Sequence, residues 1–171
     1  MPFNLSTFKQ QFKFEGARPT LFEANIFGGG IGPDFKFHCK AAQLPGKTLG
    51  MIEVPYFGRK IKVHGDQTFA ELSLTILNEE TFNVRNAFER WMSTINSHVS
   101  NIKTDPDYKG KSLNIKQFNK EMDIIKNYNF IGAFPSDISP IDVSWESVDT
   151  IEEFTVTMQY DWWESASILP L

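Results

Sequence analysis

The feature that most constrains the fold is a strict alternation of apolar and polar residues between positions 153 and 162. Alternation with a period of two places every second side chain on the same side of a β-strand, so one side can be buried while the other is wet. The apolar side consists of Phe154, Val156, Met158, Tyr160 and Trp162. The polar side consists of Glu153, Thr155, Thr157, Gln159 and Asp161. The chain should therefore contain a half-buried sheet.

Weaker β-type patterns recur along the chain between turn residues. They predict strands at 21–27, 35–42, 69–77, 113–118 and 122–131, and a long hairpin over 49–63 with its tip near Tyr56, Phe57 and Gly58. The Gly-rich stretch at 28–34 is interpreted as a turn and not as a phosphate loop, because no helix is expected to follow it. About seven to nine strands in all indicate a mainly β fold, an antiparallel β-sandwich or barrel-like subunit.

One flanking α-helix is predicted, at about residues 81–99. Its apolar stripe recurs at helical spacing and is assigned to the core. The stripe consists of Val84, Phe88, Trp91 and Ile95. The opposite, polar side, which should face outward, carries Arg85, Glu89 and Arg90.

Length and charge restrict the class of protein. A chain of 171 residues fits a single domain over 1–171, with an N-terminal arm at 1–16 and a C-terminal tail at 165–171. The net charge of -4 argues against a protein that grips nucleic acid by its phosphates. No signal peptide or long apolar run is visible, so we expect no stable membrane insertion. The lone Cys39 is expected to be a small buried residue, and the absence of any intrachain disulfide suits assembly in a reducing cytoplasm.

The sequence shows no constellation of residues that would predict catalysis, a cofactor or a metal. The three histidines, His38, His64 and His98, lie far apart and have no metal-ligand spacing to another ligand. The acid pairs at 79–80 and 152–153 fall at expected ends of a helix and a strand, where solvated charge is ordinary. We therefore expect no catalytic, cofactor-binding or metal residues and no enzymatic activity.

Several blocks of the sequence, in their order and spacing, resemble the tail tube proteins of contractile-tailed bacteriophages. The resemblance spans about residues 17–164 and is carried by the blocks 17–23, 37–41, 59–69, 74–79, 132–135, 143–145 and 154–164. These include Ala17-Arg18-Pro19-Thr20, Val143-Ser144-Trp145 and Tyr160-Asp161-Trp162-Trp163-Glu164. The first residues and the tail at 165–171 do not match clearly.

The resemblance implies a structural virion protein of the phage tail, assembled in the host cytoplasm. Such a subunit would form homohexameric rings with a β-barrel lumen, and the stacked rings would form the inner tube that conducts phage DNA into the host. The implied partners are the tail sheath, baseplate and tail-terminator proteins. The lumen would hold the tape measure protein and double-stranded DNA without specific binding.

The resemblance and the pattern together give a prediction for the hairpin. An extended apolar hairpin exposes more apolar surface than a monomer should tolerate, so it is expected to bridge stacked rings. The residues assigned to this inter-ring contact are Met51, Ile52, Val54, Tyr56 and Phe57.

Other functions remain open at this point. The chain could form a baseplate tube-initiator ring or a tail-terminator ring. It could also be the tube subunit of a type VI secretion or tailocin-like injection system. A β-sandwich enzyme or sugar-binding module is the remaining alternative, and it would require a concave site with converging polar groups.

Overall fold

The fold is known from a computed structural model that describes residues 16–28, 30–102, 108–109 and 112–167. Within these ranges the strands are β1 Phe22–Phe27, β2 Cys39–Ala42, β3 Lys47–Tyr56, β4 Arg59–Phe69, β5 Leu72–Leu77, β6 Ser112–Phe118, β7 Ile124–Ile131, β8 Phe134–Ile138, β9 Glu153–Gln159 and β10 Trp162–Ser167. The helices are α1 Phe35–His38 and α2 Asn83–Ile95. Apart from Gly16, the predicted N-terminal arm lies outside the described residues.

The strands form two four-stranded sheets and a separate hairpin, and all pairings are antiparallel. The first sheet has the order β1-β6-β7-β10, and the second has the order β2-β5-β9-β8. Strands β3 and β4 pair only with each other. The predicted mainly β, antiparallel fold is confirmed, and the described strands form no closed barrel.

A single apolar cluster joins the two sheets. In the second sheet, the alternating residues of β5 and β9 are buried, and the first sheet contributes every second residue of β1 and β6 together with Phe130 of β7. The buried strand residues are Ala24, Ile26, Leu72, Leu74, Ile76, Leu113, Ile115, Phe130, Phe154, Val156 and Met158. Each sheet therefore uses one side for the core, as the alternation at 153–162 requires.

Helix α2 closes the core beside β8 and α1. Phe88 and Trp91 are fully buried, and Val84 and Ile95 pack against the core as half-buried residues. The ring of Phe88 meets that of Phe35 edge-to-face at 6.0 Å. The helix is shorter than the predicted 81–99, because Phe82 has a left-handed backbone and Asn96 is extended.

Two predicted strands begin or end elsewhere. The stretch at 35–42 starts with the helical turn α1, which brings Phe35 into the core, and only Cys39–Ala42 is a strand. The stretch at 69–77 is interrupted after Phe69, where the chain leaves the hairpin and enters β5 of the second sheet.

The alternation at 153–162 also covers two strands instead of one. Strand β9 ends at Gln159, and after a corner the chain enters the first sheet as β10. Trp162 is therefore 45% exposed and not part of the buried side of β9. Residues 165–167 of the predicted C-terminal tail pair with β7, and the rest of that tail lies outside the described residues.

The packing of the helix yields a stability prediction with a matched control. Trp91→Ala should lower the free energy of unfolding by roughly 3–5 kcal/mol, because it leaves a large cavity in a close-packed core. Trp145→Ala, at a fully exposed tryptophan, should change it by less than about 0.5 kcal/mol. Chemical denaturation at low protein concentration measures both. Equal effects of the two substitutions would contradict the assignment of α2 to the core.

Candidate functional site

The described residues do not assemble a catalytic or metal centre. Among them, no group of three or more His, Cys, Asp and Glu side chains could hold a metal ion. His38 lies with Nε2 3.5 Å from the carboxylate of Glu79, and its Nδ1 lies 3.0 Å from the carbonyl oxygen of Asp34. These contacts tie α1 to the residues before α2 and form no cluster of ligands.

Cys39 is a buried thiol. Burial raises the pKa of the Cys39 thiol to about 12. Its Sγ also donates a hydrogen bond to the carbonyl oxygen of Ala41 at 3.6 Å. Because the thiolate is the nucleophile and the metal ligand, Cys39 has little reactivity near neutral pH.

Many of the exposed large apolar side chains among the described residues lie on the hairpin of β3 and β4. Each of the five residues assigned to inter-ring contact is at least 46% exposed, and Phe57 at the tip reaches 91%. The five are Met51, Ile52, Val54, Tyr56 and Phe57. A monomer rarely leaves so much contiguous apolar surface in water, so this hairpin has the character of an assembly surface.

The register of the hairpin separates two different sides. Ile52 pairs with Val63, and Val54 pairs with Ile61, so these four side chains share one side. The other side carries Met51 and the charged residues Glu53, Lys60 and Lys62. On that side, Lys60 Nζ lies 2.7 Å from Glu53 Oε2, so an ion pair links the two strands. The prediction from sequence therefore mixed the sides, because Met51 lies opposite Ile52 and Val54.

Ile61 and Val63 of β4 were missed, although the sequence contains a signal for them. A two-residue turn at Phe57-Gly58, with both residues at positive φ, fixes the pairing of the flanking strands. Counting outward from that turn places Ile61 opposite Val54 and Val63 opposite Ile52.

The polar side of α2 divides into one structural residue and two exposed ones. The Arg85 side chain is only 19% exposed, and its guanidinium lies 5.2 Å from the centre of the Phe154 ring. It also donates hydrogen bonds to the carbonyl oxygen of Ser139 and to Glu89. Glu89 and Arg90 are exposed. Arg85 therefore anchors the helix, while Glu89 and Arg90 remain available to another protein.

The first sheet presents a polar side opposite its core side. Two rows of paired residues cross all four strands there. One row consists of Asn25, Asn114, Asn129 and Glu164. The other consists of Glu23, Lys116, Asn127 and Ala166. This surface is rich in amides, and its charges in these rows are two acids and one lysine.

The two lysines near this surface have different surroundings. Lys116 Nζ lies 3.7 Å from Glu23 Oε1, so the cation in the row has a carboxylate beside it. Lys126 lies on the opposite side of β7 from Asn127 and Asn129, with its Nζ 5.9 Å from the centre of the Tyr128 ring. Neither lysine gives the amide rows an unpaired positive charge.

No helix among the described residues is long and apolar enough to cross a membrane.

Comparison with known proteins gives consistent results at the level of sequence. The profile of the phage tail tube protein family matches residues 3–166. Tail tube protein gp19 of Enterobacteria phage T4 is 32% identical over 151 residues, which are 86% of this chain and 91% of that protein. The tail tube protein of Serratia phage KSP90 is 26% identical over 117 residues, 68% of this chain and 66% of that protein.

Solved structures share the fold at lower identity. A chain of the anti-feeding prophage baseplate has a TM-score of 0.69 at 12% identity, with 90% of this chain and 97% of that chain covered. A chain of the sheath-tube complex of the PVC extracellular contractile injection system has a TM-score of 0.65 at 16% identity, with 94% of this chain and 97% of that chain covered.

Proposed function

This chain belongs to the phage tail tube protein family, and from that premise we propose that it forms stacked hexameric rings inside a contractile tail. As a tail tube protein it is a structural component of the virion and not an enzyme. The ring, the stack and the partners described below belong to the proposal.

The observation that carries the proposal is the construction of the first sheet. Its edge strands β1 and β10 each pair with only one neighbour among the described strands. Their free N–H and C=O groups can pair with another chain, so β1 of one subunit would pair with β10 of the next. Such a head-to-tail contact closes into a ring when the rotation between subunits fits. Six sheets joined in this way would enclose an aqueous lumen.

The amide-rich rows of the first sheet would line that lumen. The opposite side of the sheet is used by the core, so the polar side is the one left to face the channel. Two acids and one acid-paired lysine leave a slightly negative lining. Such a lining would let double-stranded DNA and the tape measure protein pass without gripping phosphates.

The hairpin and helix α2 would make the remaining contacts. The apolar side of the hairpin would be covered by a subunit of the adjacent ring. Glu89 and Arg90 would face the tail sheath protein. Baseplate and tail-terminator proteins would bind the two ends of the stack.

The alternative is a ring at one end of the tube or a tube from another injection system. We retain this alternative because the solved structures that share the fold include chains of the baseplate and of the tube-terminating cap of the anti-feeding prophage. The copy number in purified virions distinguishes these cases. A main tube protein is present in many rings, whereas an initiator or terminator forms a single ring.

The hairpin proposal is tested by the double substitution Val54→Ser/Ile61→Ser. It removes a directly paired apolar couple and should leave rings while abolishing tubes, because the stacking contact loses apolar burial. The control is Glu53→Gln/Lys60→Gln on the other side of the hairpin, which should still form tubes. Negative-stain electron microscopy scores both. Tubes of normal length from the serine variant would rule out this contact.

The channel proposal is tested by DNA binding. Purified tubes should not retain linear double-stranded DNA near physiological ionic strength, since the proposed lining has no unpaired cation in its amide rows. Asn114→Lys/Asn129→Lys should create retention that is largely lost between about 50 and 200 mM salt. Co-sedimentation measures the bound fraction. Salt-sensitive retention by the unmodified tube would contradict the proposed lining.

The sheath proposal predicts separate effects for neighbouring residues of α2. Reversing charge with Glu89→Lys/Arg90→Glu should weaken sheath binding to preformed tubes about tenfold without unfolding the subunit. Arg85→Ala should instead lower the free energy of unfolding by about 1–3 kcal/mol, because the Ser139 carbonyl loses its donor. Sheath co-sedimentation and denaturation measure the two effects. A charge-reversed tube that binds sheath normally would place the contact elsewhere.

A further inference from the structure

A second exposed apolar segment lies in the connection between β8 and β9, at residues 139–152, here called the acidic loop. Trp145 is completely exposed, and Val143, Val148 and Ile151 are each more than 70% exposed. Large aromatic side chains of this kind are the usual anchors of protein interfaces. The described chain does not cover this segment, so its apolar residues are available to a partner.

The charge of the acidic loop is entirely negative. It contains Asp142, Glu146, Asp149 and Glu152 and no Lys or Arg, so its formal charge is -4. Glu152 accepts a hydrogen bond from the side chain of Asn78. The other three carboxylates form no ion pair with the described residues. An apolar anchor surrounded by unpaired acids is suited to a partner that is both apolar and basic.

The hairpin of the same chain has that complementary character. Over residues 47–69 it carries the cations Lys47, Arg59, Lys60 and Lys62 and the acids Glu53 and Asp66, so four minus two gives a formal charge of +2. Lys60 is paired with Glu53, whereas Arg59 and Lys62 have no ion-pair partner among the described residues. Arg59 is paired in register with Tyr56 and therefore shares the side of Val54 and Ile61.

We propose that the acidic loop of one subunit docks on the hairpin of a second copy of this chain. Trp145 would cover the apolar side formed by Ile52, Val54, Ile61 and Val63, and the loop carboxylates would meet Arg59, the cation on that same side. Because both surfaces are exposed in the isolated chain, neither covers the other within one subunit. Two different patches that bind each other make a head-to-tail contact, which propagates from subunit to subunit.

This inference rests on the proposed assembly and names the surface that the hairpin binds. It predicts that charge pairing across the contact determines how readily rings stack, with Trp145 supplying apolar burial. Charges at an exposed contact are screened by salt, so stacking should weaken with ionic strength. The contribution of Trp145 should remain.

A charge-swap experiment tests the docking. The loop variant is Asp142→Lys/Glu146→Lys, which spares Asp149 because its backbone has a φ of 58°. The hairpin variant is Arg59→Glu, which reverses the cation on the apolar side. Each should raise the protein concentration needed for tube formation about tenfold or more, because like charges then face each other. The combined variant should restore assembly to within about threefold of the unmodified protein.

Two controls distinguish the proposed contact from a general effect of net charge and from a loss of folding. Glu80→Lys/Glu121→Lys, at two exposed acids, changes the net charge by the same amount as the loop variant, away from both surfaces, and should leave tube formation unchanged. Trp145→Ala should raise the concentration needed for assembly without lowering the thermal stability of the subunit. Sedimentation quantifies tubes, and circular dichroism melting reports folding of every variant.

The possible outcomes separate this inference from the proposed function. If the unmodified protein forms neither rings nor tubes, the proposed function is wrong, and the docking fails with it. If the unmodified protein forms tubes and either charge variant does so equally well, the docking alone is wrong. Failure of the combined variant to recover, while it remains folded, would also overturn the docking. Loss of sheath binding by the loop variant with normal tubes would place the loop against the sheath.

Discussion

Burial of one side of each sheet against the other is the interaction on which the structure depends. Leu74 and Val156 in the second sheet, together with Ala24 and Ile115 in the first, are completely buried. Apolar burial contributes roughly 25 cal/mol per Å², so this shared core contributes most of the favourable free energy. It also fixes the register, because a slip of one residue would turn every buried side chain outward. The positions of the polar rows follow directly from that register.

The same constraint explains where the proposed assembly surfaces lie. The first sheet has one side left for water, and its two edge strands are open to pairing. Among the described strands, the hairpin shares no pairing with either sheet, and none of its residues belongs to the apolar core cluster. We attribute its exposed apolar side to the proposed contacts between molecules. Because no hairpin residue belongs to the apolar core cluster, substitutions on the apolar side of the hairpin should affect the proposed stacking more than the stability of the subunit.

Local pattern predicted the elements whose two sides differ most in polarity. Helix α2, with its apolar stripe, and strands β5 and β9, with their alternation, are such elements, and residue periodicity is sufficient to predict them. Strand β8 was missed because Pro135 interrupts its pattern, and proline is tolerated there because β8 is an edge strand. The corner after Gln159 was missed because the alternation continues through Asp161 while the chain changes sheets. Arg85 was placed outward because helical spacing does not show that its guanidinium reaches Ser139 and Phe154.

The charges of the chain are separated into an acidic and a basic segment, which the overall net charge does not show. The total of -4 for the chain is equal to the charge of the acidic loop alone, while the hairpin carries +2. A single overall charge would make identical subunits repel one another, whereas separated patches of opposite sign allow attraction in one orientation and repulsion in others. Within the polar rows of the first sheet, Lys116 has a carboxylate beside it, so the surface proposed for the channel is kept free of the attraction that phosphates would feel. One chain can thus present an adhesive surface to its own copies and a non-adhesive surface to the DNA that would pass through them.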